Sequence, residues 1–265
     1  MSVYQTYYLL LPTYYLLKVR SLFGAFIFYT CIPLPQNWDI DYTRIARWAP
    51  LIGILLGGGL GLLDLALQQL GMPILTRSTL IIALGIALTG GLHLDGVADT
   101  ADGLAVQEPK KRLQVMQDSV TGAFGVMAIA IVLLLKIAAL SELNSSRLLC
   151  LMLALGWGRW AQVLAIALYP YLKPQGKGAF HKQAMQTPQD VLLGLFFLLS
   201  LAGFWLYWDV TRWWLPLTGT IGGIAIAGLT GVWLQKQLGG QTGDTYGAIV
   251  EWTEALWLCF LTMML

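Results

Sequence analysis

The sequence predicts an all-α fold: a polytopic transmembrane helix bundle of about seven spans, or eight, forming one integral-membrane domain over residues 1–265. Three observations predict it. Hydrophobic residues make up 57% of the chain and charged residues only 11%, whereas soluble domains carry roughly a quarter charged residues. The apolar residues fall into seven runs, most of which approach the ~20 residues that cross a hydrocarbon core of ~30 Å. The polar connections divide into a short set and a long set, and positive charge gathers in the long set.

Taken in order, residues 22–33 are apolar over about half a span and end at Pro33 and Pro35. This predicts a short N-terminal interfacial or re-entrant helix. Lys18 and Arg20 precede it without a signal-peptide layout, so the membrane segments read as permanent. The spans follow at 48–70, 79–94, 123–140, 148–169, 191–208, 213–234 and 248–265. In the first, Gly53, Gly57 and Gly61 recur every four residues, which predicts close helix packing. Trp205, Trp208, Trp213 and Trp214 flank span ends and read as interfacial anchors. Cys31, Cys150 and Cys259 show neither metal nor disulfide spacing and read as buried small hydrophobes.

The short connections, 71–78, 141–147 and 209–212, carry Arg77, Arg147 and Arg212. The N-terminal segment and the long connections, 35–47, 95–122, 170–190 and 235–247, carry eleven of the 16 Lys and Arg residues. Lys136 and Arg159 fall inside spans. Positive residues favour the cytoplasm, so the long loops are expected there. A net charge of +2 without a long basic run gives no support for nucleic acid as a partner; the lipid bilayer is the expected partner, and a homo-oligomer is left open.

The chemistry concentrates in the long loops. Residues 90–103 read GGLHLDGVADTADG and place Asp95, Asp99 and Asp102 at i, i+4 and i+7, on one face of a helix. Clustered carboxylates repel unless a cation lies between them, and hard oxygen ligands suit Mg²⁺ or Mn²⁺. Asp118, in MQDSVTGAFG at 116–125, supplies a fourth ligand if the loop folds back. A solvated acidic loop is the plain alternative for the first stretch, and a turn with a helix N-cap for Asp118 and Ser119. His93, at a span end, is either packed or catalytic. Residues 238–254, LGGQTGDTYGAIVEWTE, place Asp244, Glu251 and Glu254 on one face of the last span behind a glycine-rich turn that includes Gly243. Backbone N–H groups before a helix favour phosphate, while carboxylates inside a span need a partner: a cation, Lys136 or Arg159. Lys173, Lys177 and Lys182 lie in a basic loop and either pair with phosphate or follow the positive-inside rule.

These stretches, with 23–35 ending TCIPLP, resemble the cobalamin synthases, or adenosylcobinamide-GDP ribazoletransferases, in order and spacing along essentially the whole chain. The resemblance implies a phosphotransferase of the bacterial inner membrane with cytoplasmic active-site loops. Its substrates would be adenosylcobinamide-GDP and α-ribazole or its 5′-phosphate, joined with release of GMP. It implies Mg²⁺ on Asp95, Asp99, Asp102 and Asp118, a general base among these carboxylates or His93, and substrate contacts from Ser119, Arg159, Lys177, Gly243, Asp244, Glu251 and Glu254. The family usually has Arg where this chain has Val120; Arg112, Arg159 and Lys177 are the expected substitutes. Two other classes compete. CDP-alcohol phosphotransferases share Asp-Gly-x-x-Ala, but this chain reads Asp95-Gly-Val-Ala-Asp99 without their following Arg. Ion-coupled transporters place acidic sites near the bilayer midplane, whereas these carboxylates crowd into loops at one face.

Overall fold

The computed structural model describes residues 19–35, 37–173, 176 and 178–264. Lys18, Lys177 and Leu265, each named in the expectations above, lie outside them. Eleven α-helices are present among the described residues: α1 (Val19–Tyr29), α2 (Ala49–Gln69), α3 (Ile74–Leu88), α4 (Leu92–Ala105), α5 (Pro109–Val115) and α6 (Ala123–Glu142), then α7 (Arg147–Leu168), α8 (Ala179–Ala184), α9 (Gln189–Trp208), α10 (Trp214–Leu238) and α11 (Gly243–Thr262). The fold is the expected all-α bundle, and α1 is the expected short apolar helix.

Five helices, α2, α6, α7, α9 and α10, are long and apolar enough to cross a membrane. The expected spans at 79–94 and 248–265 differ. The first is broken: α3 and α4 meet at 90°, and the count becomes six if the pair is one span. Gly90 (φ 63°) and Gly91 (φ 69°) make the corner, in a left-handed conformation that side chains with a Cβ disfavour. The second, α11, carries Asp244, Glu251 and Glu254, and thirteen of its 20 residues are buried in the bundle.

α7 is the central helix. It packs against α2, α9, α10 and α11. Gly53, Gly57 and Gly61 are the reason α2 comes so near: a Cβ on Gly53 would lie 2.3 Å from the Leu155 carbonyl oxygen, and one on Gly57 2.4 Å from that of Leu151. A second close approach joins α4 to α11. A Cβ on Gly96 would lie 2.4 Å from the Asp244 carbonyl oxygen, and one on Gly247 3.0 Å from the His93 backbone.

Buried charges are paired across helices, as a low-dielectric interior requires. Asp64 of α2 meets Arg147 at 2.7 Å and Arg77 at 3.2 Å. Both arginines came from the short connections and were expected in loops, but they are 4% exposed. Arg212 pairs with Asp209 and also donates to Ser145, so the short connections gather together. The long ones do so as well: Leu172 N–H donates to Gln241 O at 2.8 Å and Arg112 to Gln237 O at 2.8 Å. Trp208 and Trp213 are exposed beside a helix end, as interfacial anchors would be, but Trp205 is 1% exposed and belongs to the core. Of the cysteines only Cys150 is buried; Cys31 is exposed.

A second network is central. Lys136 Nζ of α6 donates to Glu251 at 2.5 Å and Glu254 at 2.7 Å, and Arg159 of α7 donates to Glu254 at 2.7 Å. All four side chains are almost wholly buried. Lys136→Met would leave Glu251 without its cation, and breaking a buried pair from one side costs about 3–5 kcal/mol. A clear fall in the thermal midpoint in detergent is expected, with partial recovery in Lys136→Met/Glu251→Gln.

Candidate active site

Residues 92–105 form a helix instead of a solvated loop because α4 lies against α6 and α11, with Val97, Ala98 and Thr100 buried on its inner side. The 3.6-residue period then sets Asp95 and Asp99 one turn apart on the outer side. The close approach at Gly96 brings Asp244, in the first turn of α11, to the same place. Asp99 interacts with Asp95, Asp244 and Asp102, all repulsively, and favourably with Lys173. Lys173 Nζ lies 2.9 Å from Asp244 Oδ2.

The α11 N-terminus is built by local sequence. Thr242 Oγ1 accepts from Thr245 N–H at 3.2 Å, and Thr245 Oγ1 accepts from Thr242 N–H at 2.7 Å: a capping arrangement that satisfies two backbone donors and leaves Gly243 exposed. Gln241 N–H donates to Pro170 O at 2.8 Å, which pins the Lys173 loop beside this turn.

A cavity of about 200 Å³ opens next to these carboxylates, with Asp95 and Asp244 on its lining. α1, α4, α7, α8 and α11 contribute its walls, including His93, Gln162 and Tyr246. His93 is 4% exposed, and its Nδ1 has no hydrogen-bond partner in the protein.

The other expected site residues are placed elsewhere. Asp102 accepts from Gly122 N–H at 2.7 Å and Gly125 N–H at 2.8 Å, so both its oxygens cap the start of α6, where a carboxylate is favoured. Asp118 is exposed and accepts from Val120 N–H at 3.1 Å, a local turn; Ser119 is exposed beside it. Glu251, Glu254 and Arg159, expected at substrate phosphate, are held in the buried network described above. Lys136 and Arg159 satisfy the two glutamates inside the bundle, the partners expected of carboxylates within a span. Lys177 lies outside the described residues. Of the substitutes expected for the arginine missing at Val120, Arg112 is bonded to Val106 O and Gln237 O. Lys182 donates to Ile166 O and Ala167 O, capping α7. Lys173 is therefore the described cation that meets the acidic cluster.

Sequence reasoning passed over Gln162, His181, Tyr29 and Tyr246. Gln162 carried a usable signal, an amide inside a largely apolar run, and His181 is one of only two histidines. The tyrosines carried none.

Among the described residues, no three His, Cys, Asp or Glu side chains are placed to hold one metal ion. Mg²⁺, however, commonly takes one or two protein carboxylates and completes its shell with water and substrate phosphates. Asp95 and Asp99, hard donors one turn apart beside an exposed opening, fit that kind of site; Asp102, with both oxygens engaged, does not.

Comparison with known proteins places the chain. The family model described as cobalamin-5-phosphate synthase matches residues 21–262. A protein of Trichormus variabilis named adenosylcobinamide-GDP ribazoletransferase is 55% identical over 94% of this chain and 98% of its own length. Proteins of the same name from Synechocystis, 51% identical over 95% of this chain and 97% of their own, and from Prochlorococcus marinus, 40% identical over 94% and 97%, also match. No solved structure matches. With the motifs of α4 and α11 inside the matched region, the chain belongs to the cobalamin-5-phosphate synthase family.

Proposed function

We propose that the chain joins adenosylcobinamide-GDP to α-ribazole, or to its 5′-phosphate, giving adenosylcobalamin, or its 5′-phosphate, and GMP. The observation that carries this reading is the meeting of Asp95, Asp99, Asp244 and Lys173 beside the cavity that holds His93, in a chain whose relatives bear the name of that transferase.

In this reaction a ribose hydroxyl oxygen attacks the corrinoid-bearing phosphorus of the diphosphate. The phosphorus–oxygen bond to GMP breaks, and the proton of the hydroxyl must be accepted. A carboxylate of the cluster, or His93 on the cavity lining, takes that proton; a positioned base of this kind contributes roughly 10²–10⁴-fold. Phosphoryl transfer otherwise depends on positioning and charge neutralisation. Mg²⁺ or Mn²⁺ on Asp95 and Asp99 would neutralise charge on the diphosphate. Lys173 attracts the departing phosphate, in the place of the arginine that Val120 replaces. The long connections are proposed to face the cytoplasm of a bacterial inner membrane, where these soluble substrates occur.

GMP release by purified protein in detergent with Mg²⁺ tests the assignment. Asp95→Asn and Asp99→Asn are each expected to lower kcat by about 10²-fold or more, and wild-type turnover in either variant removes that residue. Asp102→Ala is expected to keep most activity while losing about 1 kcal/mol of stability with its cap. Gly96→Val removes no reactive group, yet its Cβ would collide with the Asp244 carbonyl oxygen. It is expected to abolish turnover with helix content retained by circular dichroism.

A further inference from the structure

Five residues that line one cavity each carry a buried polar side-chain atom without a hydrogen-bond partner in the protein: Tyr29 Oη, His93 Nδ1, Gln162 Oε1, His181 Nδ1 and Tyr246 Oη. None of the five residues is more than 5% exposed. Buried polar groups are nearly always paired, and leaving one unpaired costs about 1–3 kcal/mol, so five gathered around one cavity point to a ligand that pairs them.

The shape and charge of the cavity narrow the ligand. Its walls are aromatic: His181 stacks on Tyr29 at 6.2 Å and meets Phe28 edge-on at 5.0 Å, while Tyr246 stacks on Tyr171 at 5.8 Å. Burial lowers the His181 pKa to about 4, so this ring is neutral near pH 7. No Lys or Arg occurs among the described lining residues, and Asp95 and Asp244 stand on the lining. Phosphate is therefore disfavoured inside, and about 200 Å³ is too small for a corrin ring. A flat, uncharged heteroaromatic ring with an attached ribose satisfies all of these conditions.

We infer that this cavity binds the base and ribose of the nucleoside acceptor, with Tyr29, Gln162, His181 and Tyr246 as its specificity-determining residues. The inference rests on the reaction proposed above, whose acceptor is such a nucleoside, and on the cavity opening beside Asp95 and Asp244. The ribose then lies toward His93 and Asp95, and the base lies deeper, toward Gln162 and His181. A cavity of about 200 Å³ that holds one nucleoside has no room for a second, so the guanosine of the other substrate lies outside it.

Full-length protein in detergent with Mg²⁺ provides the test, varying α-ribazole and adenosylcobinamide-GDP in turn. Gln162→Leu is expected to raise the KM for α-ribazole about 10-fold, and Tyr246→Phe about 3- to 10-fold, the range of one hydrogen bond. The KM for adenosylcobinamide-GDP should stay within about two-fold in both. Tyr246→Phe removes a hydroxyl that has no partner in the protein, so its thermal midpoint should not fall; a structural hydroxyl would lower it. Equilibrium dialysis of α-ribazole alone reads the same site without turnover. Weaker nucleoside binding in the variants supports the inference. A raised KM for adenosylcobinamide-GDP instead would assign the cavity to guanosine and overturn it, as would unchanged constants for both substrates. Wild-type protein that binds α-ribazole through these residues but releases no GMP would leave the cavity assignment standing and sink the reaction.

Discussion

A carboxylate inside an apolar bundle must meet a cation, and that requirement organises this protein. Glu254 lies between Lys136 of α6 and Arg159 of α7, and Glu251 shares the lysine. The three helices are therefore tied at one level by nearly buried charges. With α11 held there, its N-terminal turn projects to the end where the long connections gather. Gly96 and Gly247 then let α4 lie directly on that turn. The acidic cluster is the outcome: Asp95 and Asp99 come from one helix, Asp244 from the other, and Lys173 from a loop pinned beside both.

Within this frame, chemically identical side chains have different tasks because their surroundings differ. Asp102 is only one turn from Asp99, yet it faces the free N–H groups at the start of α6 and is fully engaged by them. Asp64 is sealed between two arginines, Asp118 closes a surface turn, and Asp244 shares Lys173 with the cluster. Asp95 and Asp99 are the carboxylates that remain open beside the cavity. The proposed diphosphate substrate would bring further ligands for a divalent ion, which a two-carboxylate site would leave room for.

The helical membrane bundle was legible because its signals are local. Long apolar runs, the glycine spacing of the first span and the unequal loops each follow from the neighbouring sequence. The span count was less so. Hydropathy treats residues 79–94 as one run across the Gly90–Gly91 corner, and two consecutive left-handed residues turn the chain there. It also reads the last run as a span, although the charges of α11 are accommodated by neighbouring helices rather than by lipid.

By itself the sequence determined the all-helical class, the burial of glycine-lined helix faces, the i, i+4 pairing of Asp95 with Asp99, and the need of Glu251 and Glu254 for internal cations. These depend on helix period and on the cost of burying charge, which are properties of short segments. The tertiary structure alone decided that Asp102 caps α6, that Lys173 and not Arg112 meets the cluster, and that Tyr29, Gln162, His181 and Tyr246 share a cavity. Those four residues come from four helices spread over more than 200 positions of the chain. Their meeting depends on where the bundle folds back on itself, which no local pattern encodes.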